Sequence, residues 1–148
     1  MIEPATQRDL PEIRALLERL HLPLTGVDEH LSTMLVAREG EEVVGTAALE
    51  LYADGALLRS VAVEPRRQGE QLGHQLTDAA LHLATTHGAN TVFLLTTTAE
   101  RFFPKFGFER ISRDEVPESV RASVEFQSAC PASAIVMRKQ LLNRTGTR

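Results

Sequence analysis

The sequence predicts an α/β fold, with one mixed central sheet of about six to seven strands and helices on both faces. Two features carry this expectation. Three extended runs, Met34–Arg38, Glu42–Tyr52 and Ala56–Val63, follow one another directly. After Pro65 the apolar spacing changes to that of a helix, and a β-branched strand returns at Thr91–Thr97.

Taken in order, an opening strand lies around Ile2. Asp9 is placed to cap a helix, Pro11 is tolerated in its first turn, and Glu12 stands where a capping box wants it. Ile13, Leu16, Leu17 and Leu20 form its apolar face, and His21-Leu22-Pro23 ends it. A shorter helical piece is expected over Asp28–Thr33. Gly40-Glu41 and Ala53-Asp54-Gly55 separate the three extended runs as turns, which makes an antiparallel meander the economical arrangement. Leu72, Leu76, Ala79, Ala80 and Leu83 then recur at helical spacing, with Gly88 as the stop. Ala99–Phe106 reads as a short helix, Phe108–Ile111 as a strand, Pro117–Phe126 as a helical insertion and Ile135–Met137 as a last strand. The whole is expected as one domain over 1–140, followed by a frayed tail at 141–148.

Composition bounds the function. The chain has 148 residues, long enough to bury a core without staples, and no run approaches the length of a membrane span. The start MIEPATQRDL lacks a secretory pattern, and one cysteine, Cys130, allows no internal disulfide, so the expected location is cytoplasmic. Net charge is −4 and the sixteen Lys and Arg are scattered, which argues against nucleic acid as a partner. No His/Cys/Asp cluster has metal-ligand spacing, so no metal is expected.

The most informative stretch is LLRSVAVEPRRQGEQLGHQL, residues 57–76. An apolar strand runs through Glu64-Pro65 into a short loop that opens a helix. Helix starts carry unpaired N–H groups and a partial positive charge, which suits a phosphate. Gly69 and Gly73 permit close approach of backbone to an anion, and Arg66, Arg67 and Gln68 add donors at the rim.

VAVEPRRQGEQLGHQL resembles motif A of the GNAT acetyltransferases, whose loop reads Q/R-x-x-G-x-G/A. The resemblance implies acetyl-CoA as co-substrate, with its pyrophosphate on loop amides and its pantetheine arm along the preceding strand. On that pattern Val61, Ala62, Val63, Arg67, Gln68, Gly69, Glu70, Gln71, Leu72, Gly73 and His74 are the cofactor-binding candidates. Gln68 fills the Q/R position and Gly73 the last G/A position, while Gln71 stands where the middle glycine is usual. His74 is a phosphate neighbour or a solvent-exposed side chain.

The resemblance extends over Asn90–Phe108, where TVFLLTTTAERFFPKFGF is similar to the family's strand, helix and "(F/Y)-x-x-x-G-F" turn. It implies that this strand splays from its neighbour around the acyl arm. Thr96, Thr97 and Thr98 would then end the strand near the reacting centre, Thr97 as a catalytic and Thr96 as a substrate-binding candidate; threonines are equally ordinary strand residues. Many relatives carry a tyrosine that protonates the departing thiolate. Phe103 holds that position here, as a cofactor neighbour, and the one tyrosine is Tyr52.

The C-terminal stretch, with LLTTT, FF---G and CPASA-VM, is similar to the arsenic-resistance N-acetyltransferases (ArsN type). More distantly it is similar to the acetyltransferase domain of bacterial N-acetylglutamate synthase. Both imply a small amino-acid-like amine as substrate, including an arsenic- or phosphorus-containing analogue in arsenic resistance. Ser133 matches a glutamate-binding serine of the synthase, whereas Pro131 stands where its neighbouring arginine belongs. Many folds of this type pair through a sheet edge, so the analogy implies a homodimer. A protein N-acetyltransferase and a CoA-binding regulatory module with weak catalysis are the alternatives.

Acyl transfer from a thioester to an amine needs a neutral amine, a polarised carbonyl and a close approach. Backbone N–H groups around Val61–Val63 are placed to hold the carbonyl oxygen. Glu50, on the strand beside Leu57–Val63, is the candidate base, or else a solvated edge carboxylate. Arg59 interrupts an apolar strand, where an unpaired charge costs several kcal/mol, so it requires an anionic partner. That partner is a substrate carboxylate, arsonate or phosphinate, or an internal Asp or Glu.

Overall fold

A computed structural model describes residues 2–69, 71–97, 99–122 and 134–141. Among them seven strands form one mixed sheet in the order β1-β2-β3-β4-β5-β7-β6. The strands are β1 (Ile2–Pro4), β2 (Met34–Glu39), β3 (Glu42–Tyr52), β4 (Gly55–Val63), β5 (Thr91–Thr96), β6 (Glu109–Ile111) and β7 (Ile135–Gln140). The helices are α1 (Leu10–Arg19), α2 (Leu72–Thr86) and α3 (Glu118–Arg121). The expected α/β class and mixed sheet are thus found, at seven strands. No helix among the described residues is long and apolar enough to cross a membrane.

The chain groups into two compact units. The first comprises Met1–Glu50 and Leu58–Leu83. In it β1 pairs antiparallel with β2, and β2 with β3, the second pair through the short turn at Gly40-Glu41. The apolar face of α1, Ile13, Leu16 and Leu17, joins Val27, Met34, Val36, Val43, Ala48 and Ala62 in one core. Gly45 of β3 admits α2: a Cβ there would lie 2.7 Å from Leu76 Cδ1 and 3.2 Å from the Ala62 carbonyl oxygen.

The second unit comprises Leu51–Leu57 and Ala84–Arg148. The first residues of β4 pair in parallel with β5, Ala56 with Val92 and Leu57 with Phe93. Antiparallel β7 lies along the whole of β5 and pairs on its other edge with β6. Leu57, Phe93, Val116, Val120 and Val136 form the core of this unit.

Several local expectations are corrected. Asp9 stands before α1 but makes no side-chain cap. Its carboxylate instead accepts from the Thr6 N–H and from Arg38, closing a capping box at Thr6. Glu12, expected to complete a box, accepts from the Val43 N–H. Arg38 beside Asp9 holds that carboxyl down at about 2. The helix expected over Ala99–Phe106 is only a 3-10 turn, Phe103–Phe106. Pro104 removes one helical donor and disfavours helical backbone at the residue before it. The helical piece expected at Asp28–Thr33 narrows to a 3-10 turn at Leu31–Thr33, and β7 runs three residues beyond Met137 to Gln140. Of the expected insertion, α3 covers Glu118–Arg121, and 123–126 lie outside the described residues.

Candidate active site

The junction from β4 to α2 has the form expected of an anion cradle. After Val63 the chain makes a 3-10 turn at Pro65–Arg67, passes Gln68 and Gly69, and enters α2 at Leu72. The Gln68 side chain donates to the Val63 carbonyl at 3.0 Å, tying the loop back onto its strand. The Gln71 carbonyl accepts the first helical bond, from the Gln75 N–H at 3.0 Å. Gly69 has φ +89° and Gln71 has φ +72°, both left-handed. The family's middle glycine is therefore replaced at a position that uses glycine's freedom, and glutamine sits there at a cost of about 1–2 kcal/mol. Gly73 and His74 lie in the first turn of α2, and His74 Nε2 stands 3.4 Å from Asp78. Glu70 is outside the described residues.

The basic rim of this loop is engaged by acids of its own unit. Arg67 pairs with Glu39. Arg66 pairs with Glu42 and lies near Glu64, and Glu42 raises the Arg66 pKa. Glu39 and Glu42 come from the β2–β3 hairpin, and only the sheet register brings them to the loop.

Along β4, Val61 and Val63 are half-buried and Ala62 is packed in the core, so Ala62 has only its backbone to offer a ligand. Just before them Ser60 has φ +58°, a left-handed residue in mid-strand. Its carbonyl accepts from the buried Thr46 hydroxyl at 2.7 Å, which holds the kink. Such an outlier persists where the surroundings over-determine it, and it changes the direction of the Val61–Val63 amides relative to a straight strand.

Arg59 and Glu50 are brought together. Arg59 Nη1 donates to Glu50 Oε2 at 2.7 Å, with the two side chains 1% and 2% exposed. Arg59 Nε donates to Ser60 Oγ at 3.2 Å and Nη2 to the Pro23 carbonyl at 3.3 Å. Of the two partners open for Arg59, the structure displays the internal one. Glu50 is no edge carboxylate: it is sealed in the interior. The third member is His30, whose Nε2 stands 3.6 Å from Glu50 Oε2 and whose side chain is 27% exposed. Gly26, at φ +86°, sits over all three; a Cβ on it would lie 2.8 Å from Arg59 Nη1, 3.7 Å from His30 Cδ2 and 3.8 Å from Glu50 Oε2. His30 lies in the short piece expected as helical over Asp28–Thr33, and nothing in its sequence neighbourhood marks it as part of a site.

In the second unit, the Thr96 hydroxyl accepts from the Ala99 N–H at 2.9 Å and turns the chain at the end of β5. Thr97 lines an open recess of about 640 Å³ with Ala99, Glu100, Arg101, Phe102 and Lys105. Phe103 is 6% exposed and packs edge-on against Phe102 and Phe108. It fills the core where a tyrosine would need a partner for its hydroxyl. Thr98, Cys130, Pro131 and Ser133 lie outside the described residues. No cluster of three or more His, Cys, Asp or Glu capable of holding a metal occurs among the described residues.

An amino-acid acetyltransferase of Neisseria meningitidis is 28% identical over 147 residues, covering 93% of this chain and 33% of that protein. The chain thus spans about a third of the length of that relative. An amino-acid acetyltransferase of Mycobacterium tuberculosis is 31% identical over 130 residues, covering 81% of this chain and 74% of that protein. Among solved structures, N-acetylglutamate synthase from Neisseria gonorrhoeae, complexed with coenzyme A and N-acetyl-glutamate, superposes with a TM-score of 0.83 at 26% identity. That match covers 95% of this chain and 35% of the other. The model of the acetyltransferase (GNAT) domain matches residues 30–110, more than half of the sequence. This chain belongs to the GNAT acetyltransferase family.

Proposed function

We propose that the protein is an acetyl-CoA-dependent N-acetyltransferase acting on the amine of a small amino-acid-like substrate. The observation that carries this reading is the β4-to-α2 junction. Two left-handed residues, Gly69 and Gln71, lead into the open end of a fifteen-residue helix, a shape that presents backbone N–H groups to a diphosphate. The gonococcal relative, solved with coenzyme A and an acetylated amino acid, supports both halves of the reading.

Within it, the amides of Gln68–Gly73 and the Arg67 side chain take the pyrophosphate of acetyl-CoA, with His74 beside them. The Val61–Val63 backbone, turned by Ser60, polarises the thioester carbonyl. Glu50 belongs to the path by which the ammonium loses its proton. Arg59 is the candidate for the substrate's anionic group, and with its side chain 1% exposed an incoming carboxylate must displace the Pro23 carbonyl to reach it. Thr96, Thr97, Phe103 and Ser133 complete the proposed set. The ArsN-like tail, CPASA-VM, supports an arsenic- or phosphorus-containing amino acid such as arsinothricin or phosphinothricin as acceptor. A cytoplasmic homodimer is the proposed form.

The test is release of free thiol from acetyl-CoA with glutamate, glutamine, arsinothricin and phosphinothricin. Acetylation of at least one zwitterionic amine is expected. Binding of coenzyme A without thiol release on any amine would reduce the protein to a regulatory CoA-binding module. Turnover on peptides alone would make it a protein acetyltransferase.

A further inference from the structure

We infer that His30 is the proton acceptor of the transfer, with Glu50 as the positioning residue behind it and Arg59 as the brace that holds Glu50. The inference rests on the acetyltransferase reading above and assigns a residue within it.

A base in this reaction has two duties: it must take a proton from the substrate ammonium and then hand it to solvent. Glu50 is badly placed for both. Its side chain is 2% exposed, and the oxygen nearest His30 already accepts from Arg59 Nη1 at 2.7 Å. His30 meets both requirements. Its side chain is 27% exposed, and a neutral imidazole nitrogen can take a proton and pass it on to water. Its Nε2 stands 3.6 Å from Glu50 Oε2, and closure of that gap to a hydrogen bond would place the hydrogen on Nε2 and leave the Nδ1 lone pair for the substrate. A carboxylate behind an imidazole also stabilises the imidazolium once it forms. That separation is longer than a hydrogen bond.

The local fold is built around this contact. The 23–33 stretch is fastened to the strands by the Pro23 carbonyl on Arg59 and by the Thr33 hydroxyl on the Leu49 carbonyl. Thr33 also donates to the His30 carbonyl at 3.3 Å, and the His30 N–H bonds back to Gly26. Gly26 leaves the space in which imidazole, carboxylate and guanidinium converge, since a side chain there would collide with Arg59. Among the described residues, Glu50 is the charged group paired with His30, and Arg59 lies behind it on the same carboxylate oxygen.

The substrate ammonium gives one proton to His30 Nδ1, and the neutral amine attacks the thioester carbonyl carbon. A C–N bond forms, the C–S bond breaks, and sulfur leaves with the electron pair. The second proton on nitrogen passes to that sulfur, giving the amide and the free thiol. His30 then releases its proton to water through its exposed edge.

The experiment uses the full chain with acetyl-CoA and the amine that the wild type acetylates best. His30→Ala is expected to lower kcat ~100-fold or more, with the KM for acetyl-CoA within about twofold of wild type and an unchanged thermal midpoint. Added imidazole should restore part of the rate, which a merely structural role would not allow. His30→Gln, which keeps the bulk, should lose kcat equally and gain nothing from imidazole; it is read in place of the alanine variant if that one misfolds. A rate within threefold of wild type in either folded variant overturns the inference and leaves the acetyltransferase reading standing. Absence of thiol release by the wild type on every amine overturns the reading itself.

Discussion

Glu50 and Arg59 sit nine residues apart on strands that neighbour each other, and their side chains meet in the interior at 2.7 Å with almost no solvent. A pair so placed is a commitment of the fold, because neither charge tolerates losing the other.

Arg59→Ala should therefore lower stability by about 3–5 kcal/mol, most of it from the uncompensated Glu50. Joint replacement, Arg59→Met with Glu50→Leu, should recover most of that loss while amine acetylation stays abolished. Urea titrations of the three chains decide this: a double variant no more stable than the single one would contradict it.

Gln71 occupies a left-handed position at the mouth of the phosphate loop. Gln71→Gly should remain within about 1 kcal/mol of wild type, since relief of strain offsets the entropy glycine adds to the unfolded chain. A β-branched residue tolerates positive φ far less well. Gln71→Val should thus weaken coenzyme A binding in calorimetry, and equal affinity in the two variants would disprove the loop's role.

Glu39 and Glu42 compete with any phosphate for Arg67 and Arg66. Glu39→Gln and Glu42→Gln, alone or together, should tighten coenzyme A and steepen the dependence of its affinity on salt. The prediction fails if both variants titrate like wild type at low ionic strength.

Gly26→Ala would place a methyl 2.8 Å from Arg59 Nη1 on a backbone with φ +86°. The expected result is a stability loss above about 1 kcal/mol and slower turnover of the amine, with coenzyme A binding intact. Thermal melting and thiol-release kinetics measure the two arms separately.

Arg38 holds the Asp9 carboxyl at about 2, below its ordinary 3.8. A depressed folded-state value contributes stability that is full above the ordinary value and is lost as pH falls through about 2. The contribution is about 2 kcal/mol. Melting followed from pH 5 down to pH 2 should show Asp9→Asn losing less than wild type over that range, and parallel curves would refute the assignment.

Much of the scaffold was legible in the chain. The boundaries of β3 follow from its turns, α2 follows from its leucine spacing, and the short strand-to-helix loop follows from Gly69, Gly73 and the Glu-Pro before them. These are local signals, set by backbone freedom and by the period of apolar residues. Where a local rule failed, a neighbour in space or a nearer local signal had overridden it. Asp9 left its helix for Arg38 of β2, whereas Pro104, within the segment itself, shortened the expected helix.

What the sequence by itself determined is the class of the fold, its strands, the helices α1 and α2 and the family pattern, because each is encoded within a few tens of contiguous residues. The tertiary structure alone decided the partners. It joined Glu50 to Arg59, brought His30 to both, and laid Glu39 and Glu42 against the loop arginines. The reason is physical: a charge in the interior takes whichever opposite charge the packing delivers, and sheet register and strand order, not distance along the chain, control that delivery.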